Sequence, residues 1–413
     1  MARRNLLAVY VGAFFAQLGF SCVTPLMPLL TLDLLDGDLG QVGLWVGIAV
    51  GISPLLTALT GPWWGALGDR VGQKKMIQRA LISIGAAIAL IALIDHPWQL
   101  VGLRGIIGVL GGISVACLAA VTATSSKNLL GRNIGFLQAA QTLGQVAGPL
   151  VGGGLALVAG MRPAFVISAL LFALAFGLVT WLYRDVPKPA PRPIEPKAVE
   201  AAPANPRLAR SFLFWATLGV LFSANFLDGS FMVMLPLYLP ILGAPSESLA
   251  LLAGLGLSGG ALAVVLSATV AGRLTSRFSS VRLILAMLGG ALLALFGIAL
   301  SAAWWQLLAL RVVLGLVAGG LPTVAYAATA GLVPAAQSGR TVGLASSAGL
   351  LGWAVAPFLV GLLVGAHPRA VFVMDVLLVF ACAVALCWAG ARPRWYALPG
   401  FARAPGGRQS FAP

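Results

Sequence analysis

Charge is what this sequence has least of. Only 9% of its residues are charged, and just 11 are acidic. A soluble domain carries about a quarter charged residues. With 60% hydrophobic residues and a mean hydropathy of +0.98, the chain holds more apolar surface than an aqueous fold can bury. A water-soluble fold is therefore excluded in favour of a multi-spanning membrane protein. Cysteine is scarce as well. Cys22, Cys117, Cys382 and Cys387 all fall inside apolar runs, which excludes a disulfide framework and a zinc spacing. There are two histidines, no H-E-x-x-H and no phosphate-binding Lys-Ser/Thr loop, and the one G-x-S-x-G string, Gly256 to Gly260, lies within an apolar run and not at a strand-to-helix elbow. These absences argue against a metalloprotease, an ATP-driven pump and a serine hydrolase, so no enzyme activity, cofactor or metal is expected. One stretch, Gly254-x-Gly256-x-x-Gly259, spells a dinucleotide fingerprint, but no strand precedes it and it lies within an apolar run. It reads as helix packing.

Glycine and long apolar runs are what the chain has in excess. Its 51 glycines let membrane helices approach closely. Apolar runs fall at roughly 6–30, 42–64, 76–94, 98–122, 133–160 and 163–183, then at roughly 212–240, 249–271, 281–301, 304–328, 340–366 and 370–390. Each is near or above the ~20 residues that cross a bilayer. The expected fold is an all-α polytopic membrane protein of twelve transmembrane spans. Arg3-Arg4 before the first run imitates a signal peptide, but no small-x-small cleavage site is evident, so the run reads as an uncleaved first span.

The net charge of +15 is scattered between spans rather than gathered in a stripe, which argues against nucleic-acid binding. Most basic residues fall on the side of the N-terminus, among them Arg70, Lys74, Lys75, Lys127, Arg273 and Arg340. On the other side, loops hold only Arg162 and Arg369, and the first of them carries Asp33, Asp36 and Asp38. The positive-inside rule then puts both termini in the cytoplasm. The expected organisation is an N-terminal six-helix bundle over 1–183, a Pro-rich cytoplasmic linker over 184–210, a second six-helix bundle over 211–390 and a cytoplasmic tail over 391–413.

The two bundles repeat one another. Trp98-Gln99-Leu100 recurs as Trp305-Gln306-Leu307, and Arg104-x-x-x-Gly108 as Arg311-x-x-x-Gly315. Pro28 maps to Pro236, Pro149 to Pro357 and Phe165 to Phe372 at a nearly constant offset. Chance would not hold one offset across so many spans. Six spans per copy, each copy starting on the same side, means parallel repeats about an axis along the membrane normal.

Three motifs sit on this frame. Gly65-x-Leu67-x-Asp69-Arg70-x-Gly72-x-Lys74-Lys75 joins spans 2 and 3. Leu103-Arg104-x-x-x-Gly108 lies in span 4, and Gly144-x-x-x-Gly148-Pro149-x-x-Gly152-Gly153 in span 5. In type, order and place they resemble motifs A, B and C of the major facilitator superfamily, motif C being the mark of its drug:proton antiporter branch. The chain is most similar to the bacterial twelve-helix multidrug exporters of that family.

The resemblance implies a conformational switch at Gly65, Asp69, Arg70, Gly72 and Lys74, with Asp69 facing the start of span 11 near Ser338 to Arg340. The second copy has Ser276 where Asp69 stands, so such a latch is one-sided. Gly65 and Gly72 would allow tight turns and close helix approach. Gly144, Gly148 and Gly152, four apart, line one helix face and give a packing seam beside the kink at Pro149.

Two ionisable groups stand out. Asp228 falls mid-way along span 7, where a carboxylate costs several kcal/mol unless it is neutralised or hydrated. The drug:proton branch often carries an acid in span 1. None is present over 6–30, and Asp228 maps onto Phe20 there, so it is the candidate proton carrier from the symmetry-related position. Arg104 is either a proton-transfer residue, as motif B implies, or an arginine snorkelling to the interface. Arg311 reads as structural, and Asp375 as a partner for Arg311 or Arg369. Spans 1, 4, 7 and 10 line the cavity in the resembled fold, which offers Phe15, Gln17, Phe20, Asn225, Phe231, Met232 and Tyr326, joined by Gln138, Gln141 and Trp353 from spans 5 and 11.

The expected function is export of small amphipathic compounds in exchange for protons. Proton-coupled import and a non-transporting receptor or scaffold are the alternatives. Expected partners are a small-molecule substrate, protons and the lipid bilayer, with the chain a monomer in the bacterial inner membrane.

Overall fold

The computed structural model describes residues 2–184, 212–331 and 338–390, so the expected linker beyond Arg184 and the C-terminal tail lie outside it. Among the described residues all regular structure is helical. Span 1 comprises Ala2–Cys22 and Leu26–Leu34; span 2 is Leu39–Val71, span 3 Gln73–Ile91, and span 4 Pro97–Leu110 with Ile113–Thr124. Span 5 is Leu130–Ala159 and span 6 Met161–Leu182. The second half follows with span 7 (Phe212–Tyr238), span 8 (Leu249–Leu274), span 9 (Ser280–Ala299), span 10 (Trp304–Ala318 and Leu321–Gly331), span 11 (Ser338–Val364) and span 12 (Pro368–Gly390). Eleven of these are long and apolar enough to cross a membrane. The exception is span 3, whose first two turns carry Lys74, Lys75 and Arg79.

The interruptions have local causes. Pro25 follows the break in span 1 and offers no backbone donor. Span 4 breaks at Gly111-Gly112, where Gly112 takes φ +82°, a left-handed conformation that glycine adopts without steric cost. Gly72 does the same at φ +101° and turns the chain between spans 2 and 3. Asp38 caps span 2: its carboxylate accepts from the backbone N–H groups of Gly40 and Gln41 and from the Gln41 side chain. Those bonds favour the charged form and hold its carboxyl below the usual carboxylate range.

Packing repeats as the sequence does. Span 1 lies on spans 5 and 6, span 2 on span 4, and span 3 on span 6. In the same way span 7 lies on spans 11 and 12, span 8 on span 10, and span 9 on span 12. Most buried side chains of each half belong to that half's own apolar core. The halves meet along two seams, span 5 against span 8 and span 2 against span 11.

Both seams close at one end only. We call the end that carries the N-terminus and the turns at 71–73 and 275–279 the terminal face, and the opposite end the far face. Toward the far face, a Cβ added at Gly43, Gly47 or Gly51 of span 2 would collide with Gly361, Val364, Pro357 or Phe358 of span 11. On the other seam, Gly153 meets Ala250 and Leu251, and Gly254 meets Pro149 and Leu150. Toward the terminal face, Gly131 and Gly135 of span 5 and Gly343 of span 11 have nothing within 4 Å among the described residues. The two halves are therefore closed on the far face and parted on the terminal face.

This asymmetry sets a stability test. Gly47→Leu should lower the melting midpoint of the detergent-purified protein, since overpacking a tight contact costs about 1–3 kcal/mol. Gly135→Leu, with open space at its Cβ position, should leave the midpoint unchanged. Equal losses at both sites would contradict a seam closed at one end.

Candidate functional site

The site is built by the broken span 10 and the unbroken span 7. Arg311 lies in the second turn of span 10 and its side chain is only 7% exposed. Space for its guanidinium comes from span 8, where a Cβ at Gly260 would lie 2.9 Å from Arg311 Cζ. Nη2 of Arg311 donates to Oδ1 of Asp228 at 2.8 Å. The guanidinium also sits over the Phe231 ring, 4.8 Å from its centre. A cation at this depth is costly unless paired, and the carboxylate and the ring face each compensate part of that cost. Asp228 is 48% exposed. With Ala224, Val264 and Pro322 it borders a cavity of about 40 Å³, room for a water molecule. Arg311, expected to be structural only, is thus the partner of the candidate proton carrier. The repeat register held the signal for this, because it sets Arg104 and Phe20 where the second half has Arg311 and Asp228.

The first half shows what that substitution does. Arg104 is 1% exposed, so it does not snorkel to the interface. Its Nε donates to the Ala49 carbonyl of span 2 at 3.1 Å, and its guanidinium sits 5.3 Å from the Phe20 ring centre. Nη2 has no hydrogen-bond partner among the described residues. One half therefore pairs its arginine with a carboxylate, and the other leaves it over an aromatic ring.

Among the described residues Asp375 does not pair with an arginine. Arg311 is taken by Asp228, and Arg369, at the far-face end of span 12, donates from Nε to the Tyr238 hydroxyl at 3.3 Å. Asp375 lies about two turns deeper, fully buried against span 7, where Oδ2 accepts from Ser230 Oγ at 3.0 Å.

The candidate cavity residues divide. Asn225, one turn before Asp228, approaches Tyr326 beside span 11: a Cβ at Gly349 would lie 2.9 Å from the Asn225 amide nitrogen and 3.8 Å from the Tyr326 hydroxyl. Trp353, one turn further along span 11, sets its carbonyl against Gly229. These three are half-buried where spans 7, 10 and 11 meet. In the first half, Phe15, Gln17, Phe20 and Gln141 are half-buried and Gln138 is exposed; Gln17 donates to Ser21 Oγ at 3.4 Å. Phe231 and Met232 are corrections. Both are buried within the second half, Phe231 between the Arg311 guanidinium and the Phe372 ring, and neither is open to a ligand.

The motif residues also separate. Lys74 donates to the Thr180 carbonyl at 2.8 Å, and Gln78 to the Thr180 hydroxyl at 2.7 Å, so the start of span 3 caps the end of span 6. Arg70 is exposed. Gly65 makes no close approach in this conformation. The side chains of Asp69 and of Ser338 to Arg340 lie outside the described residues, and with them the expected latch. Gly144, Gly148 and Gly152 pack on Phe14, Leu18, Ser21 and Cys22 of span 1, within one half. Pro149 and Gly153 face span 8 across the seam, where the Leu150 N–H donates to Ser258 Oγ at 3.0 Å.

Two parallel six-helix repeats, closed on one face and parted on the other, are the architecture of secondary transporters. The chain belongs to the Major Facilitator Superfamily, whose family model matches residues 9–302 and 246–412. It is 31% identical over 325 residues to the multidrug resistance protein MdtG of Proteus mirabilis, covering 78% of this chain and 80% of that one. To the protein of the same name from Dickeya zeae it is 32% identical over 321 residues, 77% and 78% of the two chains. Among solved structures it resembles a bacterial homologue of the human lysosomal transporter Spinster, with TM-score 0.73, 18% identity and coverage of 93% and 96%. It also resembles the nucleoside transporter NupG, with TM-score 0.72, 13% identity and coverage of 94% and 99%. The protein is a multi-pass membrane transporter of small molecules, not an enzyme.

The Arg311–Asp228 pair has a direct thermodynamic test. A double-mutant cycle of Arg311→Gln and Asp228→Asn, read by melting in detergent, should give a coupling of roughly 0.5–3 kcal/mol. Additive single effects would show that the two groups do not interact.

Proposed function

We propose that the chain exports small amphipathic compounds, drugs or dyes among them, in exchange for protons. The observation that carries this reading is the Arg311–Asp228 pair, in which a buried cation holds a half-exposed carboxylate between spans 7 and 10. Protonation of Asp228 removes the charge that Arg311 binds, and the lost contact frees span 10 to shift against span 7. A proton arriving from the far face and leaving to the terminal face would thus favour one tilt of the halves and then the other. The names of the MdtG relatives support a drug-like substrate. Asn225, Tyr326 and Trp353 supply amide, hydroxyl and aromatic surface of the kind that holds amphipathic molecules without strict geometry.

In this reading the terminal face is cytoplasmic, following the positive-inside bias, and the protein works as a monomer in the bacterial inner membrane. Motif A acts as a latch on the terminal face when the halves close there, and motif C keeps the outer end sealed while they are parted.

Inverted membrane vesicles test the proposal. Wild-type protein should accumulate ethidium inside vesicles acidified within, and Asp228→Asn should lose most of that accumulation. Undiminished proton-driven accumulation in Asp228→Asn would remove Asp228 from the coupling. Proton-driven uptake into whole cells would replace export by import.

A further inference from the structure

The break in span 4 is stitched to spans 2 and 3. Thr57 donates to the Gly108 carbonyl at 3.0 Å, Trp64 Nε1 to the Val109 carbonyl at 2.6 Å, and Arg79 Nη2 to the Gly111 carbonyl at 2.8 Å. Between the three spans lies a cavity of about 210 Å³. Thr57, Thr60, Gln73 and Arg79 give it polar walls, and Val115 and Ala116 apolar ones. The Arg79 guanidinium sits over Trp64 with Cζ 3.4 Å from the ring centre. Among the described residues its Nε and Nη1, both buried, have no hydrogen-bond partner and Arg79 makes no ion pair.

Closing the break does not require these groups. The second half makes the same kind of break at Gly319-Gly320 with Ala271 at the position of Trp64 and Ala286 at that of Arg79. There Ser267, the counterpart of Thr60, suffices, and its Oγ accepts from the Gly320 N–H at 3.0 Å. A guanidinium that the fold does not need, partly desolvated and without a counter-charge among the described residues, is a cost unless something compensates it.

We infer that the cavity beside Arg79 binds the acidic head, phosphate or carboxylate, of an amphiphile. Arg79 lines the cavity with Nη2 on the Gly111 carbonyl, and its positive charge favours an anionic head there. The second segment of span 4 begins on the cavity wall at Gly112, and its positive helix end adds to the potential there. Exposed Val115 gives an apolar tail a surface to follow. Gly65, Gly68 and Gln73 bring the cavity to the terminal-face ends of spans 2 and 3, the depth at which a lipid head would sit. An occupant holds the second segment of span 4 off span 2, and so bears on the motion of the span that carries Arg104.

The test uses the full chain in a neutral detergent, titrated with dodecyl phosphate, dioleoylphosphatidylglycerol or inorganic phosphate and read by native mass spectrometry. At least one amphiphile should bind saturably, one per chain. Its dissociation constant should rise about tenfold or more in Arg79→Gln, as expected for removing one side of a buried charge contact. Ala116→Phe, which fills the cavity and keeps the guanidinium, should weaken binding similarly and guards against a misfolded Arg79 variant. Binding of phosphatidylglycerol supports a bilayer lipid as the source, and binding of dodecyl phosphate alone supports a single-chain amphiphile. Inorganic phosphate binding as tightly as either would overturn the amphiphile assignment. Equal affinity in wild type and both variants, or no saturable binding, would overturn the site.

Discussion

A guanidinium and a carboxylate 2.8 Å apart, between spans 10 and 7, set the terms for the rest of this structure. A cation at that depth is largely desolvated, so Arg311 needs a partner supplied by the protein. Asp228 supplies it while remaining half-exposed, so the pair is firm on the arginine side and accessible on the acid side. The first half holds Arg104 at the equivalent place with Phe20 in place of the acid, and there the arginine leans on a backbone carbonyl and a ring. Two halves built alike thus differ in charge at the centre.

A change at that pair matters only if the halves can move, and the glycines provide for this. On the far face they bring spans 2 and 11, and spans 5 and 8, to backbone contact. On the terminal face the glycines of spans 5 and 11 have no close neighbour among the described residues. Close glycine contact makes a seam that holds without bulky interlocking side chains, as suits surfaces that must part and rejoin. The prolines in spans 5, 7 and 11 sit within the same helices and remove backbone donors where bending is needed.

Much of the fold was legible in the sequence, because a bilayer demands long apolar runs and the repeat register ties twelve of them into two sets of six. Span 3 is the weakest by composition, since Lys74, Lys75 and Arg79 crowd its start; two of them bond backbone carbonyls, of Thr180 and Gly111. The site was legible in part. Asp228 stood out because an acid in a span is rare, but its partner did not, since contacts between spans leave no mark on one helix's periodicity. The same limit explains Phe231 and Met232. They lie three and four residues after Asp228, and only tertiary packing, for Phe231 against Arg311 and Phe372, decides that they are buried in their own half. Asp375 was misassigned for a related reason: its nearest polar group is a serine on span 7, and charge alone pointed to arginines elsewhere.

The most direct test of the proposed coupling is to count protons. Purified wild-type protein in weakly buffered detergent, with a pH indicator, should release protons when ethidium is added. Asp228→Asn should release none while still binding the dye. Equal proton release from wild type and Asp228→Asn would show that the carboxylate beside Arg311 is not the coupling group.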